Sequence, residues 1–279
     1  RIFERDDAFY YFVIARNIVT LGWSTFDGLH ASSGVQLLWT GLLLPLAWAF
    51  PGEESFLRSV LALCLSLNVL TAFLLYRFCR LVHSAVLGDI ALVFFAGVLV
   101  ERWNTLQGME YPLHLAVLLA VAITGWKLIV GRDDRQALLL GILLALNFWT
   151  RLDSVIVSAG VWLLAAIALY RFSPKWPMRV ATMTVVPLLA ALAYVATSYL
   201  MAGTPLPLSG AVKTLYAENF FEGYPPQVAL IETFRFWIKV QFIGPLAIIP
   251  ANLVDMGLGE GFHPMSKPHL VVLTLFTFF

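Results

Sequence analysis

The chain has 279 residues, of which 60% are apolar and 13% charged, and its formal net charge is +1. Soluble domains carry roughly a quarter charged residues, so this composition, with a mean hydropathy of +0.82, excludes an ordinary soluble domain and reads as a polytopic membrane protein. A near-neutral balance without a long basic run gives no argument for nucleic acid as a partner.

The chain opens with Arg5-Asp6-Asp7-Ala8-Phe9-Tyr10-Tyr11, which sets two adjacent carboxylates beside a mostly membrane-embedded sequence. Residues 7 to 21 read as a helix, with Tyr11, Ile14, Ile18 and Leu21 at spacings of three and four. Arg16, Asn17 and Thr20 supply a polar side, the pattern of an amphipathic helix in the membrane interface. Asp is a preferred N-cap residue, and its charge suits the positive end of a helix. One reading of the pair is therefore a cap, or an ion pair with Arg5; the other is a catalytic base. Gly22 ends the helix, and Trp23 to Gly34 form a loop of small and polar residues.

Apolar stretches follow at 36–50, 56–76, 84–100, 111–130, 136–150, 154–170, 179–201, 236–254 and from 268 to the end. A spanning helix needs about 20 residues and at least roughly 17. The stretch 36–50, which also contains Pro45, is therefore expected to dip into or lie along the membrane rather than cross it, and 136–150 is short by length alone. Lys and Arg in short loops favour the cytoplasmic side. If every stretch from 56 onward spans, Arg77/Arg80, Lys127/Arg132/Arg135, Arg171/Lys175/Arg179 and Lys267 share that side. The outer side then holds Glu53-Glu54, Glu101/Arg102/Glu110, Arg151/Asp153 and the long segment 203–235.

The expected fold class is thus all-α, a single polytopic transmembrane bundle over residues 1–279. Its parts are a first outer loop with interfacial helices (1–55), six transmembrane helices (56–201), a large outer loop (202–235) and further transmembrane helices (236–279). A start without methionine and a stop inside an apolar run read as a fragment at both ends, with no signal peptide visible. Cys64 and Cys79 fall in one predicted helix, about 22 Å apart at ~1.5 Å per residue, too far to pair.

Three groups of residues carry a resemblance. The first is Asp6-Asp7-Ala8-Phe9-Tyr10-Tyr11 with Ile14-Ala15-Arg16-Asn17, then Ser24-Thr25-Phe26-Asp27-Gly28, then Ser32-Ser33-Gly34 before Leu38-Trp39. The second is Gly108-Met109-Glu110 opening a span and Thr150-Arg151-Leu152-Asp153 between spans. The third is the run from Pro205 to Lys213. Together, from residue 5 to about 216, they resemble the GT-C superfamily of membrane glycosyltransferases that use polyprenyl-phosphate-linked sugars. Similar members read Gly-Leu-Glu and Arg-Pro-Asp at the second group, so Leu152 stands where Pro is usual. The resemblance implies an external first loop, a following stretch that does not fully cross, and a further span upstream of Arg1.

It also implies roles. Sugar transfer from a lipid phosphate needs a base for the acceptor hydroxyl, cations for the departing phosphate and a pocket for the sugar. The resemblance puts the base at Asp6 or Asp7, by an inverting single displacement, and the pair could also hold a divalent cation such as Mg²⁺ or Mn²⁺. Lys213 is the leading residue for the donor phosphate, with Arg102 and Arg151 beside it; for the arginines the alternative is interfacial anchoring or pairing with Glu101 and Asp153. Glu110 and Asp153 could bind sugar hydroxyls or order the arginines, against simple surface exposure, and Tyr10, Tyr11, Trp103 and Tyr216 could stack on a sugar ring, against the ordinary aromatic belt. His30, His83, His114, His263 and His269 have no metal-ligand spacing and receive no role.

The implied partners are a polyprenyl-phosphate sugar donor, a glycan, lipid or protein acceptor, and the bilayer. No organic cofactor is implied, and the expected location is the cytoplasmic membrane with the active site facing outside. A transporter or lipid flippase is the competing class, disfavoured because the charges gather at helix ends rather than at midspan.

Overall fold

The structure, a computed structural model, describes residues 6–97, 108–131 and 133–203. The chain divides into two compact units, Arg1–Lys213 and Thr214–Phe279, and the described residues all belong to the first. The predicted outer loop beyond Gly203 and the spans after it therefore lie outside the described residues. Among those residues every regular element is helical, apart from one antiparallel bridge between Thr25 and Ala31.

Helix α1 (Asp6–Leu21) and helix α2 (Leu37–Ala49) flank the first loop. Then come α3 (Glu53–Val82), α4 (Ala85–Gly97), α5 (Tyr111–Gly131), α6 (Asp134–Thr150), a short 3-10 turn (Leu152–Ser154), α7 (Val155–Phe172) and α8 (Trp176–Ala202). Four of the helical segments, Glu53–Val82, Tyr111–Gly131, Leu152–Phe172 and Trp176–Leu200, are long and apolar enough to cross a membrane. Val69, Leu164 and Leu200 stand exposed on them, a surface suited to lipid tails and rare on soluble monomers. The chain is a membrane protein.

The apolar residues form two cores. One joins Ala8, Phe12 and Ile14 of α1 to Trp39 and Leu43 of α2, Phe56 and Val60 of α3, and Met109 and Leu113 at the start of α5. The other gathers Val121 and Leu128 of α5, Leu140 and Leu144 of α6, Leu169 of α7 and Met183 of α8. The predicted amphipathic face of α1 is realised with one difference. Tyr11 and Ile14 are buried as expected, but Leu21 is exposed, because the chain turns away at Gly22 with a positive φ of 83°.

Helix α2 has 13 residues, about 20 Å at ~1.5 Å per residue, against a hydrocarbon core of ~30 Å. The loop that feeds it, Ser32 to Val35, lies against Tyr194, Thr197 and Ser198 near the end of α8, and its own last turn leads directly into α3. A hydrogen bond from Arg16 of α1 to the Pro51 carbonyl ties the two short helices to the start of α3.

Helices α6 and α8 approach closely at Gly141. A Cβ there would stand 3.1 Å from both Met183 Cα and the Thr182 carbonyl oxygen, and backbone cannot yield as a side chain can. Gly141→Leu is expected to destabilise the protein by ~1–3 kcal/mol through overpacking, read as a lower unfolding temperature in detergent. Gly160→Leu on α7, where nothing lies within 4 Å of the new Cβ, should leave that temperature unchanged and serves as the control.

Candidate functional site

The Gly108-Met109-Glu110 segment owes its shape to a left-handed turn. Gly108 has φ 68°, a conformation that glycine adopts without a Cβ clash. The turn sends Met109 into the first core and delivers Glu110, with its side chain only 3% exposed, to Arg151. Arg151 follows the last turn of α6 in extended backbone, and the 3-10 turn then brings Asp153 back beside it. Leu152 opens that turn, a first-turn position that Pro would also accept, so its presence leaves the geometry intact.

The result is one guanidinium held between two carboxylates. Arg151 Nη1 donates to Glu110 Oε1 at 3.0 Å, while Nε and Nη2 donate to the two oxygens of Asp153 at 3.0 and 2.8 Å. The Tyr111 ring lies under the guanidinium, 5.1 Å from centroid to Cζ. The fork bonds to Asp153, with help from Glu110, raise the Arg151 pKa further above its ordinary value despite partial burial. Arg151 is 22% exposed and Asp153 48%, so a ligand arriving at this end meets Asp153 first.

Below the ion cluster runs a line of neutral polar groups. The Thr150 hydroxyl donates to the Asn147 carbonyl at 2.6 Å, which leaves its oxygen to accept from His114 Nδ1 at 3.1 Å. That order assigns the His114 proton to Nδ1. Asn147 Nδ2 donates to Ser158 Oγ at 2.9 Å, linking α6 to α7. Tyr111, His114, Asn147 and Thr150 received no role from the sequence, although Glu110 and His114 are four apart, as are Asn147 and Arg151, and each pair shares a helix side.

The acidic pair begins α1. Helix α1 starts at Asp6, one residue earlier than predicted, so both aspartates fall in its first turn, where their charge suits the positive helix end. Their side chains lie outside the described residues, as do Arg102, Lys213 and Tyr216 entirely. Ala8, directly after the pair, and Met109, directly before Glu110, belong to one buried core, which also takes in Trp39 and Leu43 of α2 and Phe56 and Val60 of α3. Tyr10 stacks on Phe26, with ring centroids 5.2 Å apart and planes inclined by 27°.

Phe26 belongs to a tightly bonded loop tip. Asn17 Nδ2 on α1 donates to the carbonyls of Thr25 and Phe26, at 2.9 and 3.3 Å. Asp27 Oδ1 accepts the backbone N–H groups of Leu29 and His30, and its Oδ2 lies 2.7 Å from His30 Nδ1. The His30 ring first, and then these backbone donors, hold the Asp27 carboxyl well below the usual carboxylate range. Of the predicted residues, then, Glu110, Arg151 and Asp153 are brought together, and Tyr10 sits on the loop beside the acidic pair.

No family model matches the chain, and neither a curated protein nor a solved structure matches it.

Proposed function

We propose that this protein is a GT-C-like membrane glycosyltransferase that moves a sugar from a polyprenyl-phosphate donor to an acceptor hydroxyl on the non-cytoplasmic face. The observation that carries the reading is the single buried core joining the acid-bearing start of α1 to the segment that presents Glu110 to Arg151. It supports a site with a carboxylate base on one wall and a positioned carboxylate pair on the other.

In this reading Asp6 or Asp7 removes the acceptor proton as the acceptor oxygen attacks the anomeric carbon. The bond from that carbon to the phosphate oxygen breaks, its electron pair leaves with the polyprenyl phosphate, and the anomeric configuration inverts. Asp153 accepts hydrogen bonds from sugar hydroxyls, Arg151 orients it and Glu110, and Lys213 with Arg102 meets the departing phosphate. The divalent cation that the resemblance implies would be held by Asp6 and Asp7, whose side chains lie outside the described residues. Among the described residues no group of three His, Cys, Asp or Glu could hold a metal.

The competing reading is a transporter or lipid flippase. The described ion cluster lies where α6 ends and α5 begins, not at midspan, which favours the enzyme. The test is to reconstitute the full protein in vesicles with a labelled polyprenyl-phosphate sugar and an envelope extract as acceptor. Label is expected to move to an acceptor with release of polyprenyl phosphate. Movement of intact donor between leaflets without cleavage would instead establish the flippase.

A further inference from the structure

At the opposite end of the bundle a groove of about 300 Å³ opens between the last turns of α3 and α5 and the start of α6. Leu81, Trp126 and Val130 give it apolar walls, and Lys127, Asp133 and Gln136 supply its polar groups. The charged residues of this end, including Asp134 paired with Lys175 and Arg179, mark the level at which the spanning helices leave hydrocarbon for the headgroup layer.

Each polar group in the groove has capacity left over. Lys127 has no carboxylate partner among the described residues. Asp133 uses one oxygen to cap α6, accepting from Arg135 N at 3.0 Å, and forms no ion pair among those residues. The side-chain oxygen of Gln136 is buried and has no hydrogen-bond partner among them. Among the described residues, one cation and two acceptors therefore line an apolar-walled groove at headgroup depth.

We propose that this groove binds a glycerophospholipid whose headgroup ends in a primary ammonium. The phosphate meets Lys127, the ammonium donates to Asp133 and to the Gln136 oxygen, and the first carbons of a chain lie along Leu81 and Val130. A quaternary ammonium has no N–H to give those acceptors. An anionic headgroup ending in hydroxyls places no positive charge beside Asp133, so it is disfavoured by the same geometry.

The test is native mass spectrometry of the full protein released from vesicles of equal parts phosphatidylethanolamine, phosphatidylcholine and phosphatidylglycerol with identical chains. Retained phosphatidylethanolamine is expected to exceed each of the others by about tenfold. The double variant Asp133→Asn with Gln136→Leu should abolish that preference, and Asn keeps the α6 cap because it caps as well as Asp. Lys127→Gln, at an exposed position, should lower phosphatidylethanolamine retention without touching the helix packing. Equal retention of the three lipids, preferred retention of phosphatidylglycerol, or wild-type retention in either folded variant would overturn the proposal.

Discussion

Replacing Arg151 by methionine is expected to destabilise the protein by about 3–5 kcal/mol, the range found when one partner of a buried ion pair is removed. The reason is Glu110, whose side chain is only 3% exposed and whose carboxylate would lose its 3.0 Å ion pair with the guanidinium. Asp153 adds little to this loss, since at 48% exposure water takes over much of what the guanidinium supplied. Adding Glu110→Gln to the Arg151→Met variant should restore more than half of the lost stability, because a neutral amide is buried at far lower cost than a carboxylate. Unfolding curves in a mixed-micelle denaturant titration read both steps. An Arg151→Met protein as stable as the wild type would mean that Glu110 is not held as a buried carboxylate.

Replacing Asp6 and Asp7 together by asparagine is expected to lower sugar transfer by ~10²–10⁴-fold, the span typical of a lost general base. The protein should remain folded. Removing negative charge from the first turn of α1 weakens the interaction with the helix dipole by only ~0.3–1 kcal/mol per residue, and the core contacts of Ala8, Phe12 and Ile14 are untouched. The single variants then identify the base, as the one whose loss alone reproduces the double variant. Full transfer by all three proteins would remove the acidic pair from the chemistry. Transfer lost together with the unfolding transition would reduce the pair to a structural role.

Much of the helical layout could be read from the chain because apolar runs in a membrane protein have to be long, and their ends are marked by charge. The starts of α5 and α8 and the end of α6 fall close to the predicted edges. Helix α3 runs well past its apolar stretch, to 30 residues, since Glu53 and Glu54 suit its first turn and Arg80 its last. The pairing of Arg151 with Asp153 was legible as an alternative to phosphate binding, because a two-residue separation across a helix break lets a fork and a carboxylate meet. That Glu110 could order an arginine was an open alternative, but which arginine it meets was not legible. It depends on the handedness of the turn at Gly108 and on two helices whose sequence separation says nothing of their adjacency. His114 was passed over for a similar reason: one histidine in an apolar run carries no pattern, and its partner Thr150 lies 36 residues away.

The filled fork of Arg151 also has a bearing on charge arithmetic. One guanidinium between two carboxylates sums to minus one, so the cluster would repel a lipid phosphate rather than draw it in. On the proposed glycosyltransferase reading, a donor would settle at this end only if cations from other parts of the chain outweighed that field. Lys213 and Arg102 would then set the affinity for the donor, while Glu110, Arg151 and Asp153 would set how the sugar itself is held.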